Sequence, residues 1–198
     1  MKHVVFDIGG VLVNWHPHLA WMDALGSRDA VEAFMDRTAF KERNARADGG
    51  EAFTDLAREL DDPEDVALFT QYVSRYSLTV PDPIDGTWAL IDRLRANGRP
   101  VHAITNWSAE TWPEGVKAHP RLAKAFDVLV VSGQEGVMKP DPAIFHLLCE
   151  RAKVAPSDCI FIDDGMHNVE GARAVGMDGV QFTSPDALET DLAARGLL

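Results

Sequence analysis

Five short apolar runs, at residues 3–6, 101–105, 128–132, 159–163 and 179–182, most constrain what this chain can fold into. Each is continuous rather than alternating, which predicts strands buried on both faces. The last four are separated by stretches of helical periodicity. Strands that alternate with helices predict an α/β fold, a Rossmann-like parallel sheet covered on both sides. Such sheets bind ligands beyond the carboxyl ends of their strands. Asp7, Thr105, Ser132 and Asp163 stand at four of those ends. Four polar groups so placed read as one constellation.

Residues 15–80 break the alternation. Apolar residues recur there at three- and four-residue spacings, with no strand-like run between them. The turn signals of "PDPIDGT", from Pro81, mark a return to the sheet. The expected organisation is an α/β core of residues 1–14 and 81–198, with residues 15–80 forming a helical cap over the strand ends. The hinges fall near residues 14–17 and 80–83. Trp15, Trp21 and Trp112 are read as aromatics of that hinge or of a dimer contact.

Of the 198 residues, 46% are hydrophobic, enough for a sizeable core. The net charge of −12 argues against nucleic acid and anionic membranes as partners. A small anionic substrate is still compatible, because local cations and a metal outweigh a global field. Cys149 and Cys159 lack metal spacing and read as core thiols of a reduced, cytoplasmic protein. The first residues carry no signal-peptide pattern, and no apolar run approaches the length of a membrane helix.

Four motifs carry chemistry, and each has a plainer alternative. Asp7, in "FDIGGVLV", ends the first run and is followed by two glycines; alone it is a turn cap. Asp163 and Asp164, in "FIDDGMHN", repel each other unless a hard cation lies between them. Otherwise Asp164 caps the next helix. Lys139, in "GVMKPDPAIF", is either a solvated turn lysine or an ammonium carried back over the sheet edge. Thr105 and Asn106, in "AITNWS", either bind a phosphate oxygen or cap a helix.

Taken in order, these residues resemble the haloacid dehalogenase superfamily. The resemblance spans the whole chain, including a helical insertion after the first motif, the C1 cap position. The stretches "VSGQEGVMKPDPAIF" and "FIDDGMHNVEGARAVGM" look like the subgroup that includes bacterial glucose-1-phosphate phosphatases. The resemblance implies Asp7 as a nucleophile forming an aspartyl-phosphate. It implies Thr105 on the phosphoryl group and Lys139 paired with Asp7 and phosphate. Mg²⁺ would be held by Asp7, Asp164, the Gly9 carbonyl and Asp163, directly or through water. Backbone N–H groups of Ile8 and Gly9 would face the phosphate, with Asn106 nearby. Arg46, in "NARADGGEAF", matches an arginine of many such caps, a candidate for substrate contact or an exposed turn residue. The Lys139–Pro140 bond is a candidate cis peptide, as in relatives.

One position departs from the pattern. Most phosphatases of the superfamily carry a second aspartate where this chain has Gly9. That acid protonates the leaving oxygen, a contribution of about 10²–10⁴-fold. Its absence calls for a replacement such as water, a cap residue or an undemanding leaving group. His16 and His18 lie near the hinge as titratable or merely structural groups. The favoured reading is a Mg²⁺-dependent phosphatase of small phosphorylated metabolites. A 2-haloacid dehalogenase and a non-catalytic phosphometabolite-binding protein are the alternatives. Against the dehalogenase stand the Asp163–Asp164 pair and the lack of an aromatic residue at Gly9.

Overall fold

The structure, a computed structural model, describes residues 1–198. Five parallel strands, β1 (His3–Phe6), β2 (Val101–Thr105), β3 (Leu129–Val131), β4 (Cys159–Asp163) and β5 (Asp178–Gln181), form one sheet in the order β3-β2-β1-β4-β5. Alternate residues of each strand enter different layers. Val4, Phe6, Val101, Ala103, Ile160 and Ile162 belong to one apolar cluster, with side chains of α7 (Asp85–Ala96) and α12 (Pro185–Ala194). Val5, Ile104, Val130 and Phe161 belong to the other, with α10 (Pro142–Ala152) and Ala172 of α11 (Met166–Ala174). Both faces are covered, so the runs are continuously apolar.

The strand order reverses at β1. β2 and β3 extend to one side of it, and β4 and β5 to the other. The carboxyl ends of β1 and β4 therefore flank the crevice where such sheets bind ligands. The third run ends sooner than its sequence suggests. β3 stops at Val131, and Ser132 opens the short α9 (Ser132–Glu135). Ser132 Oγ accepts from the Trp107 N–H at 2.9 Å and donates to the Asp48 carbonyl at 2.6 Å. It is a brace between segments, not a group at the ligand crevice. The fifth strand is shifted back by one residue, to Asp178–Gln181.

Every regular element from Pro17 to Thr79 is helical. Beside short 3₁₀ turns these are α1 (Met22–Leu25), α2 (Arg28–Arg37), α3 (Phe40–Asp48), α4 (Phe53–Ala57), α5 (Pro63–Thr70) and α6 (Tyr72–Arg75). The Ser27 side chain caps α2 and that of Asp62 caps α5, each accepting a first-turn N–H. The two chains leading in and out of this insert run side by side. Ile84 N–H donates to Leu12 O, Asn14 N–H to Asp82 O and His16 N–H to Thr79 O, at 2.8, 2.9 and 2.7 Å.

Trp21 is the centre of the insert. Its ring packs on Phe34, Phe40 and Tyr72 at centroid distances of 4.9, 5.1 and 5.1 Å, and its N–H donates to Leu68 O at 2.8 Å. Trp112, at the start of α8 (Trp112–Ala118), instead packs edge-on to Trp107, and Trp15 donates to the Tyr72 hydroxyl at 3.1 Å. The apolar cluster is continuous from these aromatics to β1, which holds the insert against the sheet. Trp21→Ala is expected to destabilise the protein by about 3–5 kcal/mol, the usual range for deleting a buried large aromatic. Urea unfolding followed by far-UV circular dichroism measures this, and a loss below about 1 kcal/mol contradicts the assigned role.

Candidate active site

The crevice at the ends of β1 and β4 opens into a cavity of about 380 Å³. Asp7, Gly9, Gly10, Asn106, Lys139, Asp164 and Asn168 line it from the sheet side. Asn44, Asp48 and Tyr76 line it from the insert, and Trp15 and His16 from the segment leading into it. The helices thus meet the strand ends around a shared space.

Lys139 is the hub of the sheet side. Its side chain is 1% exposed. Its Nζ donates to Asp7 Oδ1 at 2.8 Å, Asp163 Oδ2 at 2.7 Å and the Ile104 carbonyl at 3.1 Å. An ammonium has three N–H donors, so all are committed. Burial works against the Lys139 charge, yet Asp7 and Asp163 outweigh it and hold the pKa above the ordinary lysine range. The Asn106 side chain fixes the lysine backbone. Its Oδ1 accepts from Lys139 N–H at 2.9 Å and its Nδ2 donates to Lys139 O at 3.0 Å. The Lys139–Pro140 peptide is cis.

Asp7 is almost fully buried. Its Oδ1 also accepts the Ile8 N–H at 2.7 Å, and Oδ2 makes no hydrogen bond within the protein. The Ile8 amide thus serves the carboxylate here rather than pointing to a ligand. Burial raises the Asp7 pKa above the usual carboxylate range; Lys139 opposes this and Asp163 adds to it. Asp163 is wholly buried and saturated, accepting from Lys139, from Gly165 N–H at 2.8 Å and from Asn168 Nδ2 at 3.0 Å. Asp164 is more open, and burial followed by repulsion from Asp163 raises its pKa. It is not a helix cap: Gly165 occupies the N-cap of α11, without a side-chain cap.

Ligand oxygens of Asp7, Asp163 and Asp164 lie within 4.8 Å of one another. Three carboxylates face one ammonium, a local excess of negative charge. Asn168 Oδ1 is buried, borders the cavity and accepts no hydrogen bond. An acidic cluster beside an unpartnered carbonyl oxygen suits a hard, oxygen-binding cation.

The two glycines after Asp7 have different reasons. Gly10 has φ +73°, and a Cβ there would lie 2.5 Å from Asp164 Oδ2. Only glycine lets the chain turn under that carboxylate. Gly9 lies outside the left-handed region, and a Cβ there would meet no atom within 4 Å. Space and backbone would admit a side chain at Gly9.

Of the residues singled out from sequence, Asp7, Gly9, Asn106, Lys139, Asp164 and His16 surround the cavity. Asp163, Ile8 and Thr105 are buried close by without lining it. Arg46 does not reach it: the guanidinium is on the insert surface, bound to Glu51 at 2.6 Å and Glu59 at 2.7 Å. His18 stands outside too, edge-on to His16. Asp48, Asn44, Tyr76, Trp107 and Asn168 were not legible as site residues. For Asn168 the signal was its spacing, one helical turn beyond the acidic pair. For Asn44 and Asp48 it was their four-residue separation on α3, which puts both on one face.

Comparison with known proteins agrees with this geometry. The chain is 27% identical over 199 residues to the sesquiterpene phosphatase astK of Aspergillus oryzae, covering 100% of this chain and 96% of that one. It is 27% identical over 189 residues to the fructose-1-phosphate phosphatase YqaB of Escherichia coli, covering 89% and 94%. Its fold matches the HAD family enzyme bt-2542 of Bacteroides thetaiotaomicron, solved with magnesium and inorganic phosphate, with a TM-score of 0.70 at 21% identity over 93% and 95% of the two chains. The pattern of the haloacid dehalogenase-like hydrolases matches residues 1–176. A parallel sheet with Asp7, Lys139 and the acidic pair gathered at its carboxyl edge, and a sequence match over most of the chain, have one common explanation: the protein belongs to the haloacid dehalogenase-like hydrolase family.

Proposed function

We propose that this hydrolase is a Mg²⁺-dependent phosphatase of small phosphorylated metabolites, working through an aspartyl-phosphate on Asp7. The observation that carries the reading is the state of Asp7. One oxygen is fixed by Lys139 and Ile8, and the other has no protein partner, within a cavity shared with the insert. An anchored carboxylate with one free oxygen suits in-line attack on phosphorus. The phosphatases among its relatives support the same direction.

Lys139 orients Asp7 and lowers the cost of bringing a phosphate beside buried carboxylates. Asp163 and Asn106 position Lys139 through its side chain and backbone. Asp7, Asp164 and the Gly9 carbonyl would hold Mg²⁺, with Asp163 behind them. Bound Mg²⁺ would neutralise phosphoryl charge that the single ammonium leaves uncompensated. The helical insert serves as a cap, with residues 14–17 and 80–83 as its hinges, and closes the cavity to water.

Release of inorganic phosphate from a panel of phosphomonoesters is the direct test. Activity is expected with Mg²⁺, with loss on chelation and recovery on readdition. Mg²⁺ is also expected to raise the melting temperature of the wild type more than that of Asp164→Asn. Halide release from 2-haloacids without metal, and no phosphate release, would overturn the reading in favour of a dehalogenase.

Asp7→Asn keeps the side-chain shape and is expected to reduce phosphate release to background. Lys139→Ala is a harsher change. It leaves two buried carboxylates without their cation, a loss of about 3–5 kcal/mol of stability when one partner of a buried pair is removed. Its turnover must therefore be read at a temperature where circular dichroism shows it folded. A fall of about 10²-fold or more is expected there; near-wild-type turnover would contradict the role given to Lys139.

A further inference from the structure

We propose that Asp48 is the general acid–base of this site, supplied by the insert in place of the acid that is missing at Gly9. The inference rests on the phosphatase reading above. In the first step an Asp7 oxygen bonds to phosphorus and the bond to the leaving oxygen breaks. The electron pair stays with that oxygen, which takes the proton of the Asp48 carboxyl and departs as an alcohol. In the second step Asp48, now a carboxylate, takes a proton from water as the water oxygen bonds to phosphorus. The bond from phosphorus to Asp7 breaks, its electron pair returns to the Asp7 carboxylate, and inorganic phosphate leaves.

Asp48 ends α3 and lines the same cavity as Asp7. Both ends of the residue are held. Its carbonyl accepts from Ser132 Oγ at 2.6 Å, which ties it to the end of β3, and its Oδ2 accepts from Asn44 Nδ2 at 3.0 Å. Tyr72 and Tyr76 are its neighbours from the insert and the Ser108 amide from the loop after β2; no cation balances it. Burial pushes the carboxyl up to about 7, opposed in part by that amide. Both protonation states are then available near neutrality, the condition for one group to serve both steps.

The other cavity groups are less suited. Lys139 has no uncommitted N–H. The Asn44, Asn106 and Asn168 amides do not titrate in this range. Burial lifts the Tyr76 phenol well above its ordinary value. Asp164 also lines the cavity, but it is assigned to the cation in the reading above. His16 is the remaining competitor; its ring meets that of His18 edge-on and makes no hydrogen bond.

Substituted phenyl phosphates, assayed with Mg²⁺, separate the cases because they change leaving-group basicity at nearly constant shape. Asp48→Asn is expected to lose about 10²-fold or more on phenyl phosphate and less than about tenfold on p-nitrophenyl phosphate. Adding Gly9→Asp to Asp48→Asn should recover phenyl phosphate turnover, since Gly9 has room for a side chain. Asp48→Ser is the second variant, in case the first is misfolded by circular dichroism, and must give the same steepened dependence. A uniform loss across the series, no loss, or the steepened dependence arising in His16→Gln instead would overturn the assignment. A wild type that releases phosphate from no ester would sink the phosphatase reading itself and Asp48 with it.

Discussion

One ammonium group joins the ends of the three central strands. Lys139 Nζ reaches Asp7 after β1, Asp163 at the end of β4 and the Ile104 carbonyl in β2. Without it the crevice would hold mutually repelling carboxylates with only backbone and amide N–H groups to oppose their charge. The Phe161 ring face, with its centroid 5.5 Å from Nζ, adds a cation–π attraction to the charge. Because every N–H of the group is engaged, the positions of Asp7 and Asp163 are set relative to one another by hydrogen-bond geometry. The reactivity proposed for Asp7 depends on that fixed frame.

The frame lies at the carboxyl edge of the sheet, while the proton donor proposed for it lies on the insert. Gly9 offers no proton, although the backbone there would accept a side chain. Gly10 is different, because Asp164 occupies the space where its Cβ would be. The insert is docked by aromatic packing around Trp21 and by the paired chains at its root, and its α3 is tied to Ser132. In the proposed reaction, a sheet that fixes Asp7 and a helical layer that brings the Asp48 carboxyl to the same cavity divide the work between two parts of the chain.

Much of the fold was legible because it follows from local pattern. Short, continuous, β-branched apolar runs predicted strands covered on both faces, and their polar ends pointed to the crevice. The ends themselves were less secure: Ser132 reads like a strand-end ligand, yet its hydroxyl is consumed by Trp107 and Asp48. Arg46 shows the same limit. Its neighbours in sequence resemble a substrate-contacting turn, but Glu51 and Glu59 claim the guanidinium. A hydrogen-bonding group goes to the partner that folding brings nearest, and sequence order does not reveal which one that is.

The sequence by itself determined the α/β class, the helical insert after β1, and Asp7, Lys139 and the Asp163–Asp164 pair as groups to be gathered at strand ends. The class and the insert rest on periodicity, which is written in neighbouring residues; the gathering of Lys139 and the acidic pair around Asp7 is what the family resemblance implied. Tertiary structure alone decided how the acids divide their tasks. Asp163 is consumed in holding Lys139, and Asp164 is left open to the cavity. It alone decided that Asn168 keeps an unpartnered oxygen and that Asp48, over forty residues from Asp7, shares its cavity. These outcomes depend on distances between segments remote in the chain, set by how the helices pack on the sheet and by which polar groups remain unsatisfied once that packing is complete.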